Sequence, residues 1–245
     1  MHRFYCSESD IYDDSIRLCG SDVNHIRNVL RMKPGEHVIV NDGNNMDYHC
    51  VIDTIDTDEV MLKIDHSSEC MAELPSKIYL FQSLPKLDKM ELIIQKAVEL
   101  GVHEVIPVSS KRCVVKLDDK KEKKKLERWQ MIAESAAKQS MRGIIPKVHA
   151  PLGFKEAVKY ASELSYNMIP YELAEGMDVS REIMDTAAEK ESVGIFIGPE
   201  GGYCESEIEY AVENGIQVVS LGNRILRTET AGLCVLSILM FKMTK

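Results

Sequence analysis

Residues 194–202, GIFIGPEGG, place a glycine-rich loop directly after an apolar strand. Residues 220–241, SLGNRILRTETAGLCVLSILMF, have the same order: a strand end, a loop and then an apolar helix. In open parallel α/β sheets, ligands bind beyond the carboxyl ends of the strands, and glycine lets the backbone approach a ligand closely. The two segments predict an α/β fold in which two loops, on neighbouring strands, line one cleft.

The chain from Lys77 onward alternates apolar strands with amphipathic helices. This order is typical of a parallel sheet with helices on both faces. The first helix has apolar residues at helical spacing from Leu87 to Val98 and ends at Gly101. The predicted strands are KIYLFQSL, VHEVIPVSS, YNMIPYE, VGIFIG and IQVVSLG, and the later helices lie near 117–141, 154–164, 178–188, 205–214 and 228–242.

The first third of the chain differs in pattern and in charge. Its short alternating runs and turn signals predict a small β-barrel or sandwich with one helix, which spans Ser21 to Met32. Residues 1–76 hold 15 acidic and 6 basic residues, whereas residues 77–245 hold 24 of each, so the whole net charge of −9 lies in the first part. We therefore expect two domains, residues 1–75 and residues 76–245.

Several classes of protein are disfavoured by what the sequence lacks. Its seven cysteines are scattered without a C-x-x-C pair, so we expect no zinc site. The longest apolar stretch, Ala231 to Phe241, is shorter than the ~20 residues of a membrane-spanning helix. The N-terminus has no secretory signal, and we expect a cytoplasmic protein. The chain has no P-loop and no G-x-G-x-x-G motif, which disfavours nucleotide hydrolases and dinucleotide enzymes.

Four separated motifs resemble one known family. The pair GPEGG and LGNRILRTETA, with HIRNVLRMKPGE near the start and QKAVELGVHEVIPVSSKRCV in the middle, is similar to the ribosomal RNA small-subunit methyltransferase E family of the SPOUT class. The resemblance implies a PUA-like, RNA-binding β-barrel over residues 1–75 and a SPOUT methyltransferase domain over residues 76–245 with a C-terminal trefoil knot. It also implies a homodimer that methylates N3 of a uridine in 16S ribosomal RNA with S-adenosylmethionine and without a metal.

The resemblance also implies which residues hold the cofactor. Both loops contribute, and backbone amides beside leucine and isoleucine suit the flat adenine ring. The implied cofactor-binding residues are Ile197, Gly198, Pro199, Glu200, Gly201, Gly202, Leu221, Gly222, Ile225, Leu226, Arg227, Thr228, Thr230 and Ala231.

Cationic residues are the candidates for contact with RNA. Arg112, in the loop after VHEVIPVSS, is the candidate catalytic residue, because its guanidinium could polarise a uracil carbonyl or grip a phosphate. Arg27 and Arg31 are spaced i,i+4 on the predicted helix and should project from one face. The candidate RNA-binding residues are Arg3, His25, Arg27, Arg31, Lys111, Lys116 and Arg142.

The chain departs from the family pattern at three positions, and other functions stay open. Ser135 and Met141 stand where the family often has Glu and Gly, and Cys204 stands where a Ser or Thr helix cap is common. The nearest alternative function is another SPOUT RNA methyltransferase that acts on a ribose 2′-hydroxyl or another base. A non-catalytic RNA-binding or ribosome-assembly factor is a second alternative, and a small-molecule phosphate binder is a third.

Overall fold

The computed structural model describes residues 1–115, 118–174 and 176–244 and divides the chain into two compact units. Unit 1 contains Met1–Glu73 and Ala137–Ile145, and unit 2 contains Leu74–Ala136 and Pro146–Lys245. Residues 137–145 therefore pack with the N-terminal residues, although residues of unit 2 precede and follow them in the sequence. No helix among the described residues is long and apolar enough to cross a membrane.

Unit 1 is built on a five-stranded sheet with the order β1-β3-β4-β5-β2. Strands β1 and β3 are parallel, and the other pairs are antiparallel. One buried apolar cluster lies beneath this sheet and includes Val23 and Ile26 from the helix. The strands are β1 His2–Tyr5, β2 Ser15–Cys19, β3 His37–Asn41, β4 Met46–Ile55 and β5 Glu59–Glu69.

The helix predicted over residues 21–32 is shorter and less regular than expected. Helix α1 spans Ser21–Asn24, continues as a π-helical turn over His25–Leu30 and stops at Arg31, whose φ of 54° is left-handed. The i,i+4 rule applies to α-helical geometry, and Arg31 lies beyond the helix. The inference that Arg27 and Arg31 share one helix face is therefore wrong.

Unit 2 is an all-parallel sheet flanked by helices, as the sequence predicts. Its main path has the order β12-β10-β11-β6-β7-β8, and β9 pairs with β7. The strands are β6 Lys77–Ser83, β7 Glu104–Ser109, β8 Lys147–Val148, β9 Leu152–Gly153, β10 Tyr166–Pro170, β11 Ser192–Ile197 and β12 Gln217–Val219. The helices are α2 Lys89–Glu99, α3 Asp119–Gln139, α4 Phe154–Ala161, α5 Met177–Ala188, α6 Glu205–Glu213 and α7 Thr228–Met243.

Strand order in unit 2 decides what surrounds the two glycine-containing loops. The loops follow β11 and β12, but β10 lies between these two strands. The expectation that the loops follow neighbouring strands is therefore wrong, because chain order does not give spatial order in a sheet with crossovers. The carboxyl end of β10, at Pro170, lies between the two loops.

Local helix chemistry differs from the sequence prediction at two places in unit 2. Leu87 precedes helix α2, has a left-handed φ of 57° and is 86% exposed, so it does not belong to the buried stripe. Helix α6 begins after Cys204, whose N–H donates to the Glu207 carboxylate at 3.0 Å. Glu207 thus accepts the backbone N–H of Cys204, the half of a capping box that does not depend on a Ser or Thr hydroxyl at position 204.

The departure at Met141 is visible in the backbone of unit 1. Met141 has a φ of 58°, the left-handed region in which glycine is favoured. Met141 is 52% exposed, so its side chain lies at the surface and does not have to fit into the interior of unit 1. The chain therefore keeps the turn that a glycine would form, at the cost of some backbone strain.

Candidate active site

A cleft of about 500 Å³ lies at the carboxyl ends of β10 and β11 in unit 2. Both glycine-containing loops line it, and β10 closes it between them. Lys89 from helix α2 and Tyr203 complete the wall. The lining residues are Lys89, Pro170, Tyr171, Glu172, Ile197, Gly198, Pro199, Glu200, Gly201, Gly202, Tyr203, Ile225, Leu226, Arg227, Thr228 and Ala231.

Two positions in this cleft require glycine because neighbouring groups leave little room for a side chain. Gly202 has a left-handed φ of 65°, and a Cβ added there would lie 3.3 Å from a carboxylate oxygen of Glu172. A Cβ added to Gly198 would lie 3.3 Å from the ring of Tyr203. Side chains at these positions would strain the loop or move the cleft wall, so the glycines keep the backbone open to a ligand.

Thr228 joins the two loops at the base of the cleft. Its hydroxyl donates to the carbonyl oxygen of Gly198 at 2.6 Å and accepts from Nε2 of Gln82 at 2.9 Å. Arg227 is the N-cap residue of α7 and makes no side-chain cap bond. The Thr228 hydroxyl therefore fixes the start of α7 to the first loop.

Lys89 holds the two loops together through their carboxylates. Its Nζ lies 3.1 Å from Oε1 of Glu200 in the first loop and 3.3 Å from Oε2 of Glu229 at the start of α7. The backbone N–H of Lys86 also donates to Glu200 Oε1 at 3.1 Å. We call Lys89, Glu200 and Glu229 the loop clamp.

Lys89 and Glu200 stabilise each other's charged forms. Partial burial alone would raise the pKa of Glu200, but hydrogen bonds from the backbone and from Lys89 lower it below the usual 4.5. The hydrogen bond to Glu200 raises the pKa of Lys89 above its usual 10.5. One ammonium between two carboxylates leaves the clamp with a net negative charge.

Most of the predicted cofactor-binding residues line this cleft. Leu221 and Gly222 instead line an adjoining cleft of about 90 Å³, which shares Tyr171 and Ile225 with the first. Thr230 is exposed and lines neither cleft. It lies in the first turn of α7, where successive side chains point in different directions, so the sequence motif does not distinguish it from Thr228.

Sequence reasoning missed the residues that come from outside the two loops. Pro170, Tyr171 and Glu172 follow β10, and Lys89 opens α2. The apolar strand YNMIPYE was visible in the sequence, and its carboxyl end could have been included by the same rule that selected the loops. Lys89 gave no comparable signal, because a lysine at the start of a helix is usually solvated.

Arg112 lies directly against the first loop. Its Nη1 donates to the carbonyl oxygen of Gly201 at 2.8 Å, and a Cβ added to Gly201 would lie 3.5 Å from Arg112 Cβ. The side chain is exposed. A guanidinium has five N–H donors, and the bond to Gly201 uses one of them, so Arg112 can bind another group beside the cleft.

Two of the predicted RNA-binding arginines are enclosed in unit 1. The side chain of Arg142 is 4% exposed, and its Nη2 lies 2.6 Å from Glu73 Oε2. The side chain of Arg3 is 9% exposed and lies 2.5 Å from Asp47. A buried guanidinium bound by a carboxylate is not placed to contact a phosphate, so their burial disfavours the RNA-binding predictions for Arg3 and Arg142.

These two arginines instead attach residues 137–145 to the rest of unit 1. The carboxylate of Glu73 also accepts the backbone N–H groups of Gly143 and Ile144, at 2.9 and 3.1 Å. The hydroxyl of Tyr5 donates to the carbonyl oxygen of Arg142. This network explains why the segment belongs to unit 1.

The remaining predicted RNA-binding residues are exposed where the structure describes them. His25, Arg27 and Arg31 lie on the surface of unit 1. Lys111 is exposed in unit 2, where its Nζ donates to Ser206 Oγ at 2.7 Å. Lys116 lies outside the described residues. Among residues 1–115, 118–174 and 176–244, no group of three His, Cys, Asp or Glu could hold a metal ion.

Two family models match the chain in the order of the two units. An RNA methyltransferase PUA domain matches residues 18–65, and an RNA methyltransferase domain matches residues 72–240.

Proteins of known name are similar over almost the whole chain. The Ribosomal RNA small subunit methyltransferase E of Bacillus subtilis is 38% identical over 92% of this chain and 89% of its own. That of Mesomycoplasma hyopneumoniae is 33% identical over 97% of this chain and 98% of its own. A crystal structure of the Neisseria gonorrhoeae protein bound to S-adenosyl methionine is 34% identical, with a TM-score of 0.79 over 97% of this chain and 95% of its own. This chain belongs to the ribosomal RNA small subunit methyltransferase E family, with a PUA domain followed by an RNA methyltransferase domain.

Proposed function

We propose that this protein transfers a methyl group from S-adenosylmethionine to N3 of a uridine in 16S ribosomal RNA. The observation that carries the proposal is the cleft formed by the GPEGG and NRILRTETA loops, with Arg112 beside it. Family membership supports RNA methylation, and the S-adenosyl methionine in the Neisseria gonorrhoeae relative supports the donor.

The cleft has the shape and chemistry that the donor needs. The side chains of Ile197, Leu226 and Ala231 offer an apolar surface to the adenine ring. The glycine backbone beside them offers N–H and C=O groups for hydrogen bonds to the edges of the ring. Glu172 and Glu200 place negative charge in the cleft wall, which suits a cationic sulfonium. The bound donor supplies an already activated methyl group, so the chain's own residues have to orient the acceptor and exclude water.

Arg112 is placed to act on the acceptor. Uridine N3 carries a proton and becomes a good nucleophile when that proton leaves, which puts negative charge on the uracil carbonyl oxygens. The guanidinium at the edge of the cleft can donate to such an oxygen and stabilise the anion. A methyltransferase for ribose 2′-hydroxyls would have no need for this contact with a base carbonyl.

Basic side chains hold the RNA despite the acidic total. In unit 1 we assign this role to His25, Arg27 and Arg31, and in unit 2 to Lys111 and Lys116. Each phosphate contact contributes a salt-dependent part of the affinity. The partner is 16S ribosomal RNA, within the small ribosomal subunit, and the reaction takes place in the cytoplasm.

We further propose that the chain is a homodimer with a knotted C-terminal region. Helix α7 is apolar around most of its circumference, which is typical of a helix covered on all sides. Yet Phe241 is 81% exposed, and Ile225 in the preceding loop is 92% exposed. A second copy that covers α7 would bury both, and light scattering on the purified protein measures the resulting mass.

The proposed function is tested by the product. Purified protein is incubated with methyl-labelled S-adenosylmethionine and small ribosomal subunits that lack the modification, and the labelled nucleosides are identified by mass spectrometry. We expect N3-methyluridine. A labelled 2′-O-methyl nucleoside would assign the alternative SPOUT chemistry, and no binding of S-adenosylhomocysteine in calorimetry would favour the non-catalytic RNA-binding factor or the phosphate binder.

Replacing Lys89 by Met should weaken S-adenosylhomocysteine binding. Without the ammonium, Glu200 and Glu229 repel each other and the two loops separate. We expect the dissociation constant to rise roughly tenfold, which corresponds to about 1.4 kcal/mol. Isothermal titration calorimetry measures it. The control is Lys96→Met on the same helix, since Lys96 pairs with Glu99 and does not line the cleft; equal affinity of the two variants would contradict the clamp.

The pH dependence of this variant provides a second readout. The pKa of Glu200 is lowered in the folded protein, so its share of the clamp is complete above pH 4.5 and is lost as the pH falls through the lowered value. Removal of Lys89 removes one of the causes that lower this pKa. We therefore expect Glu200 to become protonated at a higher pH in Lys89→Met than in wild type, and the affinity deficit of the variant to shrink there as the repulsion from Glu229 is relieved.

A further inference from the structure

A second cleft in unit 2, of about 420 Å³, lies on the other side of the Lys111–Arg112 turn. It is formed by the end of β7, the start of α4 and the first turns of α6. Of its lining residues, only Lys111 has a role in the proposed function. Its lining residues are Ser109, Ser110, Lys111, Gly153, Phe154, Lys155, Glu156, Ser206, Glu207 and Tyr210.

The side chains of this cleft have the chemistry that a nucleotide needs. Two lysines, Lys111 and Lys155, are exposed, and they provide ammonium groups for a phosphate. Tyr210 is half-buried and provides an aromatic ring against which a base can stack. Ser109 and Ser206 add exposed hydroxyl groups that can reach ribose or phosphate oxygens.

The two carboxylates of the cleft are bound to the backbone. Glu207 is 3% exposed, and its oxygens accept the N–H groups of Lys111 and Cys204, at 2.8 and 3.0 Å. One oxygen of Glu156 accepts the N–H of Gly153 at 2.8 Å. These bonds keep the acids at the cleft wall, whereas the Lys111 ammonium donates to Ser206 Oγ and the Lys155 ammonium lies 5.1 Å from the Tyr210 ring centre.

Two chain segments connect this cleft with the proposed donor cleft. Lys111 lines the second cleft, and the next residue, Arg112, binds Gly201 at the first, so their Cα atoms are about 3.8 Å apart. The opposite wall runs from Gly201 in the donor cleft to Ser206 in the second. An RNA strand that places one base at Arg112 therefore passes the second cleft with its next nucleotide.

We propose that the second cleft binds the nucleotide adjacent to the methylated uridine, an inference that rests on the proposed function. Its phosphate lies between Lys111 and Lys155, and its base stacks on Tyr210. In the free protein, Nζ of Lys155 lies 5.1 Å from the centre of the Tyr210 ring. RNA binding moves this ammonium from the ring to the phosphate, so Lys155 covers the stacking surface only while RNA is absent.

The test uses Lys155→Ala with Lys159→Ala as the matched control. Both substitutions remove one exposed lysine from helix α4, but Lys159 does not line the cleft. Filter binding to 16S ribosomal RNA at a series of salt concentrations gives the affinity and its salt slope. We expect Lys155→Ala to bind the RNA roughly three- to tenfold more weakly, and the slope of log affinity against log salt concentration to fall by about 1, the contribution of one phosphate contact. We expect Lys159→Ala to keep the wild-type affinity and slope.

Tyr210 is tested by a pair of variants that separate the ring from the fold. Tyr210→Phe keeps the aromatic face, and Tyr210→Leu fills part of the same space without it. We expect Tyr210→Phe to bind RNA like wild type and Tyr210→Leu to lose roughly fivefold or more in affinity. Thermal unfolding and S-adenosylhomocysteine affinity, measured in parallel, show whether the Leu variant keeps its fold and its donor cleft.

The outcomes separate this inference from the proposed function. If wild type methylates 16S ribosomal RNA and both Lys155→Ala and folded Tyr210→Leu match it in affinity and salt slope, the second cleft does not bind RNA. If wild type binds RNA through these residues but forms no N3-methyluridine, the assignment of uridine N3 as the acceptor is wrong, and the second cleft is still a nucleotide-binding site. If wild type neither binds nor methylates the RNA, both proposals are overturned.

Discussion

The Gly201→Trp variant should lose S-adenosylhomocysteine binding while it keeps its fold. Gly201 lines the donor cleft in an exposed loop, and a side chain there would start against Arg112 at the edge of the cleft, so we expect the indole to block the cleft without disturbing the protein core. We expect the dissociation constant to rise roughly 100-fold or more, because a rigid bicyclic ring occupies volume that the adenosine needs. Isothermal titration calorimetry measures the affinity, and circular dichroism with thermal unfolding confirms the fold.

A graded control at the same residue isolates the steric effect. The Cβ of Gly201→Ala would lie 3.5 Å from Arg112 Cβ, an ordinary contact, and Gly201 is not among the glycines with left-handed φ. We expect Gly201→Ala to bind the donor within about threefold of wild type. If Gly201→Trp also binds like wild type, the donor site lies elsewhere in the chain.

The sequence predicts the parts of the fold that depend on local pattern. The alternation of apolar strands and amphipathic helices after Lys77 predicts the parallel sheet, and the two loops predict a cleft at its carboxyl edge. Helices α4 and α6 begin at Phe154 and Glu205, the residues at which the pattern places them. These features are local because apolar periodicity and turn residues act over a few positions.

What the sequence misses depends on contacts between distant segments. Residues 137–145 continue a helix in sequence, yet they join unit 1, because Glu73 binds Arg142 and two backbone N–H groups. Arg142 reads as a surface cation until its partner, 69 positions away, is known. The same reason hides Lys89, whose two carboxylate partners lie on loops more than a hundred residues later.

The candidate site shows the same division. The motif GPEGG with NRILRTETA contains most of the lining residues, because both loops are continuous in sequence. The position of β10 between the two loops brings Glu172 into the lining of the cleft, which the motif alone does not predict. Thr230 belongs to the motif but does not line the cleft. A motif thus identifies the segments that form a cleft, and the sheet topology decides which of their side chains face it.

Arg112→Ala should reduce turnover far more than donor affinity. The guanidinium lies beside the cleft and donates a hydrogen bond to the carbonyl oxygen of Gly201 in the cleft wall. If it stabilises the uracil anion, its removal affects the transition state and leaves the donor in place. We expect kcat for methylation of the small subunit to fall roughly 100-fold and the S-adenosylhomocysteine dissociation constant to change by less than about threefold.

Charge and pH distinguish this role from support of the loop. Arg112→Lys keeps the positive charge without the planar pair of donors, so its kcat should lie between wild type and Arg112→Ala. Because a rising pH removes the N3 proton without help, the deficit of Arg112→Ala should become smaller in alkaline buffer. A deficit that is constant across pH, with an equal loss of donor affinity, would show instead that Arg112 only supports Gly201. Unchanged turnover would show that Arg112 is a solvated surface residue without a role in the reaction.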